Sequence, residues 1–293
     1  MSSLIEQIIH ASTPLEPVHT TLQPQLQPLP TIRCILFDVY GTLMVSGVGD
    51  ISHSVDEDRD TSMRQTAKAH HIRWKHALPD PGKQFKAVIH EHHRALRSRG
   101  IPFPEVDIRE VWSDFLKRHA HPSCILNESQ LEQLCLAHEL SVNPTWPMPG
   151  LSHTLEELRR RNQYLGIVSN AQFFTPLLFP AYLGRTLEEL GFSDALCQWS
   201  YQLREAKPDT RLYEENVKAL QQLHIQPSEV IYVGNDMLND MLPATQVGFK
   251  TALFAGDQRS LRLRKEDTRI ASIQPDLILT QLEQLLECVP AAT

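Results

Sequence analysis

Polar side chains follow three short apolar runs of the sequence, at points where buried strands would end. They are Asp38 and Thr42 after residues 32–37, Ser169 and Asn170 after residues 165–168, and Asp236 and Asp240 after residues 230–233. Open parallel sheets bind ligands beyond the carboxyl ends of their strands, where such side chains would meet. A single polar residue after a strand is usually a helix cap. Three strand ends that each carry polar groups indicate a functional site.

The chemistry that these residue types allow is attack by a carboxylate beside a bound cation. Asp38, at the end of a strand, can act as a covalent nucleophile. Close to Asp236 and Asp240 it would suffer like-charge repulsion, so either the pKa values rise or a cation binds. Mg²⁺ is the natural candidate because it takes oxygen ligands, often one or two carboxylates together with substrate phosphate. Lys207 in the same cleft would offset the remaining negative charge.

The elements that must position these residues alternate between helix and strand. The patterns predict strands at 32–37, 165–168, 230–233, 251–254 and 277–279, and helices at 151–161, at 210–223 and over most of 176–190. Short apolar runs suit strands that are buried on both faces. The basic run 259–265 is predicted to be a solvated helix face. This alternation predicts an α/β fold with a doubly wound, Rossmann-like parallel sheet.

A second, smaller α-helical domain is predicted between the first two strands of the sheet. From about Thr61 to Leu140 apolar residues recur at three- and four-residue spacing, as in Val111 and Phe115. The stretch 46–60 is rich in Gly, Ser and Asp and is predicted to be a loop or small hairpin. We therefore divide the chain into a proline-rich N-terminal arm (1–31), a core domain (32–48 and 145–293) and a helical cap domain (49–144).

Bulk properties exclude several classes of function. The net charge of −7 argues against a general nucleic-acid binder, whose phosphate contacts need clustered Lys and Arg. Apolar runs are shorter than the roughly 18–20 residues that a membrane-spanning helix needs, and residues 1–10 lack the pattern of a secretory signal. The five scattered cysteines are typical of reduced thiols. We expect a cytoplasmic protein with a small-molecule substrate, and no sequence feature selects its oligomeric state.

Four short motifs, in order, resemble those of the haloacid dehalogenase superfamily of hydrolases and phosphotransferases. The segment Asp38–Val39–Tyr40–Gly41–Thr42 is similar to the first motif, with the nucleophilic aspartate leading. Ser169 matches the second motif, and Lys207, before Pro208, matches the third. The segment Gly234–Asn235–Asp236–Met237–Leu238–Asn239–Asp240 resembles the fourth. The resemblance covers roughly residues 32–45 and 145–280, and the helical stretch between them resembles the cap that selects the substrate in this family.

The resemblance implies a role for each matching residue. Asp38 would be the nucleophile, Ser169 would bind the transferred group, and Lys207 would balance charge on nucleophile and phosphate. Thr42 and Asn170 would contact the substrate or would instead satisfy backbone groups of their loops. The implied Mg²⁺ ligands are Asp38, the backbone carbonyl of Tyr40, Asp236 and Asp240. We therefore expect a Mg²⁺-dependent hydrolase that acts on a small phosphorylated substrate through an aspartyl-enzyme intermediate.

One position departs from the phosphatase pattern of the family. Family phosphatases carry an acid/base aspartate two residues after the nucleophile, and this chain has Tyr40 there. A phenol with a pKa near ~10 is a poor general base at neutral pH. Tyrosine at this position resembles the 2-haloacid dehalogenases, which use no metal and take a cap arginine for halide, with Arg64, Arg73 and Arg94 as candidates here. A carbon–halogen hydrolase and a weakly active or inactive binding protein are therefore the alternatives.

Overall fold

The computed structural model describes residues 2–48 and 56–291. Its strands are β1 Cys34–Phe37, β2 Met44–Ser46, β3 Thr145–Pro147, β4 Tyr164–Ser169, β5 Phe192–Trp199, β6 Val230–Gly234, β7 Lys250–Phe254 and β8 Leu277–Leu279. Within the described residues, β5-β4-β1-β6-β7-β8 form a six-stranded sheet in that order, and each neighbouring pair is parallel. A short antiparallel pair, β2 and β3, lies beside it. The architecture is an α/β fold with a Rossmann-like core.

Helices cover both faces of this sheet. They are α1 Ser2–Ala11, α2 Asp56–Ala69, α3 Pro81–Arg97, α4 Ile108–His119, α5 Glu128–Val142, α6 Leu151–Arg160, α7 Leu178–Leu183, α8 Ser200–Leu203, α9 Arg211–Gln222, α10 Leu242–Gln246 and α11 Leu285–Cys288. Side chains of β1 alternate between two buried clusters, because successive residues of a strand point to opposite faces. Phe37 packs with residues of α6 and α7, and Leu36 packs with residues of α9. The sheet is therefore buried on both sides.

The four helices α2–α5 pack around a separate apolar cluster. Phe85 of α3, Trp112 and Phe115 of α4, and Leu134 of α5 form its centre, and their side chains are almost fully buried. Phe85 and Phe115 meet edge to face with ring centroids 5.3 Å apart, which is a favoured aromatic geometry. A capping box of Asn127 and Gln130 begins α5. This helical layer covers the carboxyl ends of β1, β4 and β6, as the cavity described below shows.

The N-terminal segment packs along the body. Helix α1 lies between α5 and α7, where Gln7 Nε2 donates to the Gln133 carbonyl at 2.9 Å. Residues 12–31 have no helix, and an isolated bridge between Gln25 and Ile278 is one of their contacts with the core. Val18 N–H donates to Asp257 Oδ1 at 3.0 Å. Within the described ranges, no helix is both long and apolar enough to cross a membrane.

Three local predictions were wrong. Strand β5 was missed, because Asp194 and Gln198 interrupt its apolar pattern at the edge of the sheet. The helix predicted over most of 176–190 is a 3₁₀ turn followed by the short α7, and residues 184–191 are turns that begin at Gly184 with φ 66°. The basic run 259–265 is non-helical and folds against the carboxyl ends of the strands. The loop predicted at 46–60 lies partly outside the described residues, and its end is the start of α2.

Candidate active site

The carboxyl ends of β1, β4 and β6 meet at one point. Phe37, the last residue of β1, pairs with Ile167 on one side and Val233 on the other. Asp38 follows directly, and its N–H donates to the Val233 carbonyl at 2.9 Å. Ser169 ends the neighbouring strand β4. The register of the parallel strands therefore brings together the three polar strand ends that the sequence predicted.

The carboxylate of Asp38 is held through one of its two oxygens. Oδ1 accepts hydrogen bonds from Ser169 Oγ at 2.9 Å and from Lys207 Nζ at 2.9 Å. Within the described residues, Oδ2 has no hydrogen-bond donor, and Asp38 lines a cavity. One oxygen is thus oriented by two donors, and the second is free to contact a ligand.

Lys207 joins Asp38 to the turn that follows β6. Its ammonium also lies 2.6 Å from Asp240 Oδ1 and 3.1 Å from the Tyr232 hydroxyl, and the side chain is 3% exposed. Burial disfavours the ammonium, but the Asp240 and Asp38 carboxylates outweigh burial and raise the pKa of Lys207 to about 12. Lys207 is therefore a permanent cation between two carboxylates.

Asn170 fixes the backbone that carries this lysine. Its Oδ1 accepts from Lys207 N–H at 2.8 Å, and its Nδ2 donates to the Lys207 carbonyl at 3.3 Å. The side chain also lines the cavity. Asn170 thus has a clear positioning role, and the substrate contact predicted for it stays a prediction.

The two acids after β6 occupy different environments. Asp240 is buried, accepts from Lys207 and Tyr232 through Oδ1, and accepts from Asp236 N–H through Oδ2 at 2.9 Å. Burial raises the pKa of Asp240, and the neighbouring Asp38 and Asp236 charges add to this against the opposing charge of Lys207. Asp236 caps the π-helical turn Met237–Met241, since Oδ1 accepts from Leu238 N–H at 2.9 Å. Both acids are close to Asp38, as predicted, but each already has donors.

An arginine that the sequence analysis assigned to a solvated face binds one of these acids. Arg264 Nη2 lies 2.7 Å from Asp236 Oδ2. The segment around it is held by the β6 turn, where Arg262 N–H donates to the Asn235 carbonyl at 2.9 Å and Met237 N–H donates to the Arg262 carbonyl at 2.9 Å. Arg262 lines the cavity. The sequence offered one indication of this contact. The run 259–265 follows shortly after β7, so it also lies at the carboxyl end of the sheet.

Thr42 and Ser169 are interior residues. Thr42 is fully buried, and its hydroxyl donates to Asn235 Oδ1 at 3.2 Å. Asn235 Nδ2 in turn donates to the Ser260 carbonyl at 2.6 Å. Neither Thr42 nor Ser169 is among the described residues that line the cavity. Thr42 therefore ties the turn after β1 to the turn after β6, and Ser169 orients Asp38.

A cavity of about 420 Å³ separates the core residues from the helical layer. Its floor holds Asp38, Lys207, Asp236 and Asp240, and its roof includes His93 of α3 and the end of α5. A cavity of this size suits a small molecule. The lining mixes apolar side chains such as Ile89 and Phe174 with the polar groups around Asp38.

Glu139 of α5 brings a further carboxyl group to the roof of this cavity, which the sequence analysis missed. Burial raises the pKa of Glu139 to about 7. Below it, the Tyr40 hydroxyl hydrogen-bonds Thr175 Oγ1 at 2.9 Å. Burial and then the Glu139 charge raise the pKa of the Tyr40 phenol. Tyr40 is therefore neutral and engaged with the core, so its side chain supplies no base.

The arginines considered as halide ligands lie elsewhere. Arg64 Nη2 donates to the Leu78 carbonyl at 3.0 Å, and Arg73 Nη2 donates to Ser123 Oγ at 2.9 Å. In the described part of the chain, none of Arg64, Arg73 and Arg94 lines the cavity. The helical layer places the carboxyl group of Glu139 there.

The oxygen atoms around Asp38 fit a small hard cation. Asp38 Oδ2 and the backbone carbonyl of Tyr40 have no hydrogen-bond donor among the described residues, and Asp236 stands across the cavity floor. Within the same residues, no cluster of three or more His, Cys, Asp or Glu side chains forms a metal cage. Mg²⁺ is commonly held by one or two carboxylates, water and substrate phosphate, so a cage is not required. Asp236 would have to exchange part of its contact with Arg264 to act as a ligand.

Comparisons with known proteins agree with this architecture. Residues 32–248 match the family model for haloacid dehalogenase-like hydrolases. The human haloacid dehalogenase-like hydrolase domain-containing protein 3 is 24% identical over 272 residues, which cover 89% of this chain and 96% of that protein. The structure of a 2-haloacid dehalogenase from Pseudomonas syringae is 17% identical, with a TM-score of 0.52 over 87% of this chain and 97% of that chain. At this identity the structural likeness shows the fold.

Proposed function

The chain belongs to the haloacid dehalogenase-like hydrolases, and on that basis we propose that it is a Mg²⁺-dependent phosphohydrolase acting on a small phosphorylated substrate. The observation that carries the proposal is the geometry of Asp38. Its Oδ1 is held by Ser169 and Lys207, and its Oδ2 has no hydrogen-bond donor among the described residues beside the cavity. This arrangement orients one carboxylate oxygen for attack.

In the first step of the proposed reaction, the Asp38 carboxylate attacks phosphorus and the bond to the leaving oxygen breaks. Lys207 holds the Asp38 carboxylate in place and would offset negative charge that builds up on the transferred group. Ser169 prevents rotation of the carboxylate. The product of this step is an aspartyl-phosphate, which water then hydrolyses.

The cation would be held by Asp38, the Tyr40 carbonyl and Asp236, with Asp240 behind them. When bound, Mg²⁺ neutralises charge on the phosphoryl oxygens and orients them toward the nucleophile. Asp240 also has a structural role that does not depend on the cation. It holds Lys207 at 2.6 Å and supports the turn that carries Asp236.

The carbon–halogen alternative rests on Tyr40. The cavity lining opposes it, because the 2-haloacid dehalogenases that this tyrosine resembles take a cap arginine for halide. In the described part of the chain, the roof of the cavity has Glu139 and no arginine from α2–α5. We therefore place phosphate transfer ahead of dehalogenation.

We also propose a cytoplasmic setting and a small-molecule partner. All five cysteines, each in the described part of the chain, are free thiols, which suits a reducing compartment. The cavity volume supports a small substrate.

The test is hydrolysis of acetyl phosphate and p-nitrophenyl phosphate with Mg²⁺ and with EDTA. We expect phosphate release that requires Mg²⁺ and is lost in Asp38→Asn. Asp194→Asn, which removes an exposed carboxylate remote from the cavity, is the matched control and is expected to retain activity. Chloride release from L-2-chloropropionate that is insensitive to EDTA would replace the proposal with dehalogenation. Ligand binding without turnover would support a weakly active or inactive protein.

A further inference from the structure

The proposed phosphohydrolase lacks a proton donor beside its nucleophile. Protonation of the leaving oxygen and activation of the hydrolytic water both need a group that exchanges a proton near neutral pH. The Tyr40 hydroxyl forms a hydrogen bond with Thr175 Oγ1 at 2.9 Å. Lys207 is fixed between two carboxylates. The floor of the cavity therefore offers no such group apart from acids that are already paired.

The roof of the cavity offers three candidates, and their contacts separate them. Glu105 is satisfied at both oxygens, since Oε1 accepts from Val106 N–H at 2.9 Å and Oε2 accepts from Ser200 Oγ at 3.0 Å. His93 Nε2 is buried without a partner, but burial and then Arg97 lower the pKa of His93, so its ring is neutral at pH 7 and holds no extra proton to donate. Glu139 remains.

Glu139 has the contacts of a group that is free to exchange a proton. Its Oε1 accepts one long hydrogen bond, from Asn143 Nδ2 at 3.4 Å, and Oε2 has no donor within the described residues. Asn143 is itself anchored, because its Oδ1 accepts from Ser46 Oγ at 2.7 Å. Glu139 thus lies one helical turn before Asn143, which ties the end of α5 to the β2 strand that follows the Asp38 turn.

Glu139 lines the same cavity as Asp38 and Tyr40, and Tyr40 occupies the sequence position of the family's acid/base. Burial and then the Glu139 charge raise the pKa of the Tyr40 phenol. The Glu139 carboxyl group therefore opens onto the cavity that holds the Asp38 carboxylate.

We propose that Glu139 is the catalytic acid/base of this enzyme and supplies from the helical layer the carboxyl group that the first motif lacks at Tyr40. The inference rests on the proposed phosphohydrolase function. As Asp38 attacks phosphorus, the bond to the leaving oxygen breaks and the Glu139 proton passes to that oxygen. Water then attacks phosphorus of the aspartyl-phosphate, gives a proton to the Glu139 carboxylate, and frees Asp38 and inorganic phosphate. The carboxyl proton is restored at the end of each turnover.

The experiment compares Glu139→Gln with the unmodified chain in rapid-quench kinetics with p-nitrophenyl phosphate. The leaving p-nitrophenolate needs no proton, so the first step survives in Glu139→Gln. We expect a burst of p-nitrophenolate close to one equivalent, and then a steady state slower by about 100-fold or more, the usual size of lost acid/base catalysis. The exposed Glu128→Gln on the same helix is the matched control and is expected to show no burst.

A second pair of variants separates catalysis from structure. Tyr40→Asp in the Glu139→Gln background restores a carboxyl group beside the nucleophile, and we expect steady-state turnover to return to within about tenfold of the unmodified enzyme. Tyr40→Asn in the same background removes the same phenol and adds no carboxyl group, so no recovery is expected.

Unchanged turnover in Glu139→Gln, or equal behaviour of the Asp and Asn double variants, overturns the role of Glu139. In that event, Asp38-dependent phosphate release by the unmodified chain still establishes the phosphohydrolase. Failure of the unmodified chain to release phosphate from either substrate overturns the proposed function itself, and the role of Glu139 with it.

Discussion

Lys207 Nζ lies 2.6 Å from Asp240 Oδ1, and both side chains are almost fully buried. The same ammonium lies 2.9 Å from Asp38 Oδ1. A buried cation shared by two carboxylates can be removed only at high cost, because the acids are then left without compensation. The pair is therefore both a structural support for the strand ends and a determinant of the position of the Asp38 carboxylate.

Replacement of Lys207 by Met is expected to abolish phosphate release and to destabilise the fold. Removal of one partner from a buried ion pair costs about 3–5 kcal/mol in the free energy of unfolding. Urea denaturation measures this. Lys218→Met removes a surface lysine that pairs with Glu215, and it should change stability by less than about 0.5 kcal/mol. A loss of similar size in both variants would contradict the buried-pair account.

Replacement of Arg264 by Gln is expected to tighten Mg²⁺ binding. Arg264 Nη2 lies 2.7 Å from Asp236 Oδ2 and competes there with a cation. Loss of its charge should lower the Kd for Mg²⁺ by about tenfold, or about 1.4 kcal/mol, in titration calorimetry without substrate. Arg269→Gln, which removes an arginine paired with Asp267, is the control. Equal Kd values in all three proteins would show that Asp236 is not a metal ligand.

Stability is expected to depend on pH through Glu139. Burial raises the pKa of this carboxyl group from 4.5 to about 7 in the folded state. The native state therefore holds the Glu139 proton more tightly than the unfolded state, and the stabilisation present below about pH 4.5 is lost as pH rises to about 7. Glu139→Gln has no carboxyl group to ionise and keeps this stabilisation. Its free energy of unfolding, relative to that of the unmodified chain, should therefore rise by on the order of 3 kcal/mol between pH 4.5 and 8.

Denaturant titrations at several pH values measure this difference. Glu128→Gln, at an exposed position of α5, should stay within about 0.5 kcal/mol of the unmodified chain over the same range. A Glu139→Gln difference that does not vary with pH would show that the Glu139 carboxyl group is not desolvated.

Replacement of Gly41 by Ala is expected to distort the turn after Asp38. Gly41 has φ 81°, and a Cβ placed there would lie 2.4 Å from Ser260 Cβ. The left-handed backbone alone costs roughly 1–2 kcal/mol, and the collision with the Ser260 turn adds to it. We expect a loss of more than about 2 kcal/mol in the free energy of unfolding, with a loss of phosphate release.

Gly184→Ala is a matched comparison, because Gly184 has φ 66° and no atom within 4 Å of the added Cβ. It should show the backbone cost of about 1–2 kcal/mol without loss of activity. Equal effects of the two replacements on stability and activity would show that the contact between Gly41 and Ser260 adds nothing to the backbone cost.

Much of the floor of the site was predictable from the sequence. Asp38, Ser169 and Asp240 were predicted to meet because carboxyl ends of parallel strands lie at one edge of a sheet, and Lys207 was added by its match to the third motif. The helix and strand order was predictable for the same kind of reason, since apolar periodicity reports burial on one or both faces. Strand β5 was not predicted because it is an edge strand with polar residues on its exposed side.

The sequence by itself determined the family motifs, the α/β core and the meeting of polar strand ends around Asp38, because these depend on local periodicity and on the order of strands. Tertiary structure decided what surrounds them. Arg264 looks like a surface residue until the 257–264 turn folds onto Asp236, and Glu139 looks like any polar residue of an amphipathic helix until α5 covers Asp38. Such contacts join residues distant in the chain, so no local pattern encodes them, and charge and burial acquire their meaning only after packing.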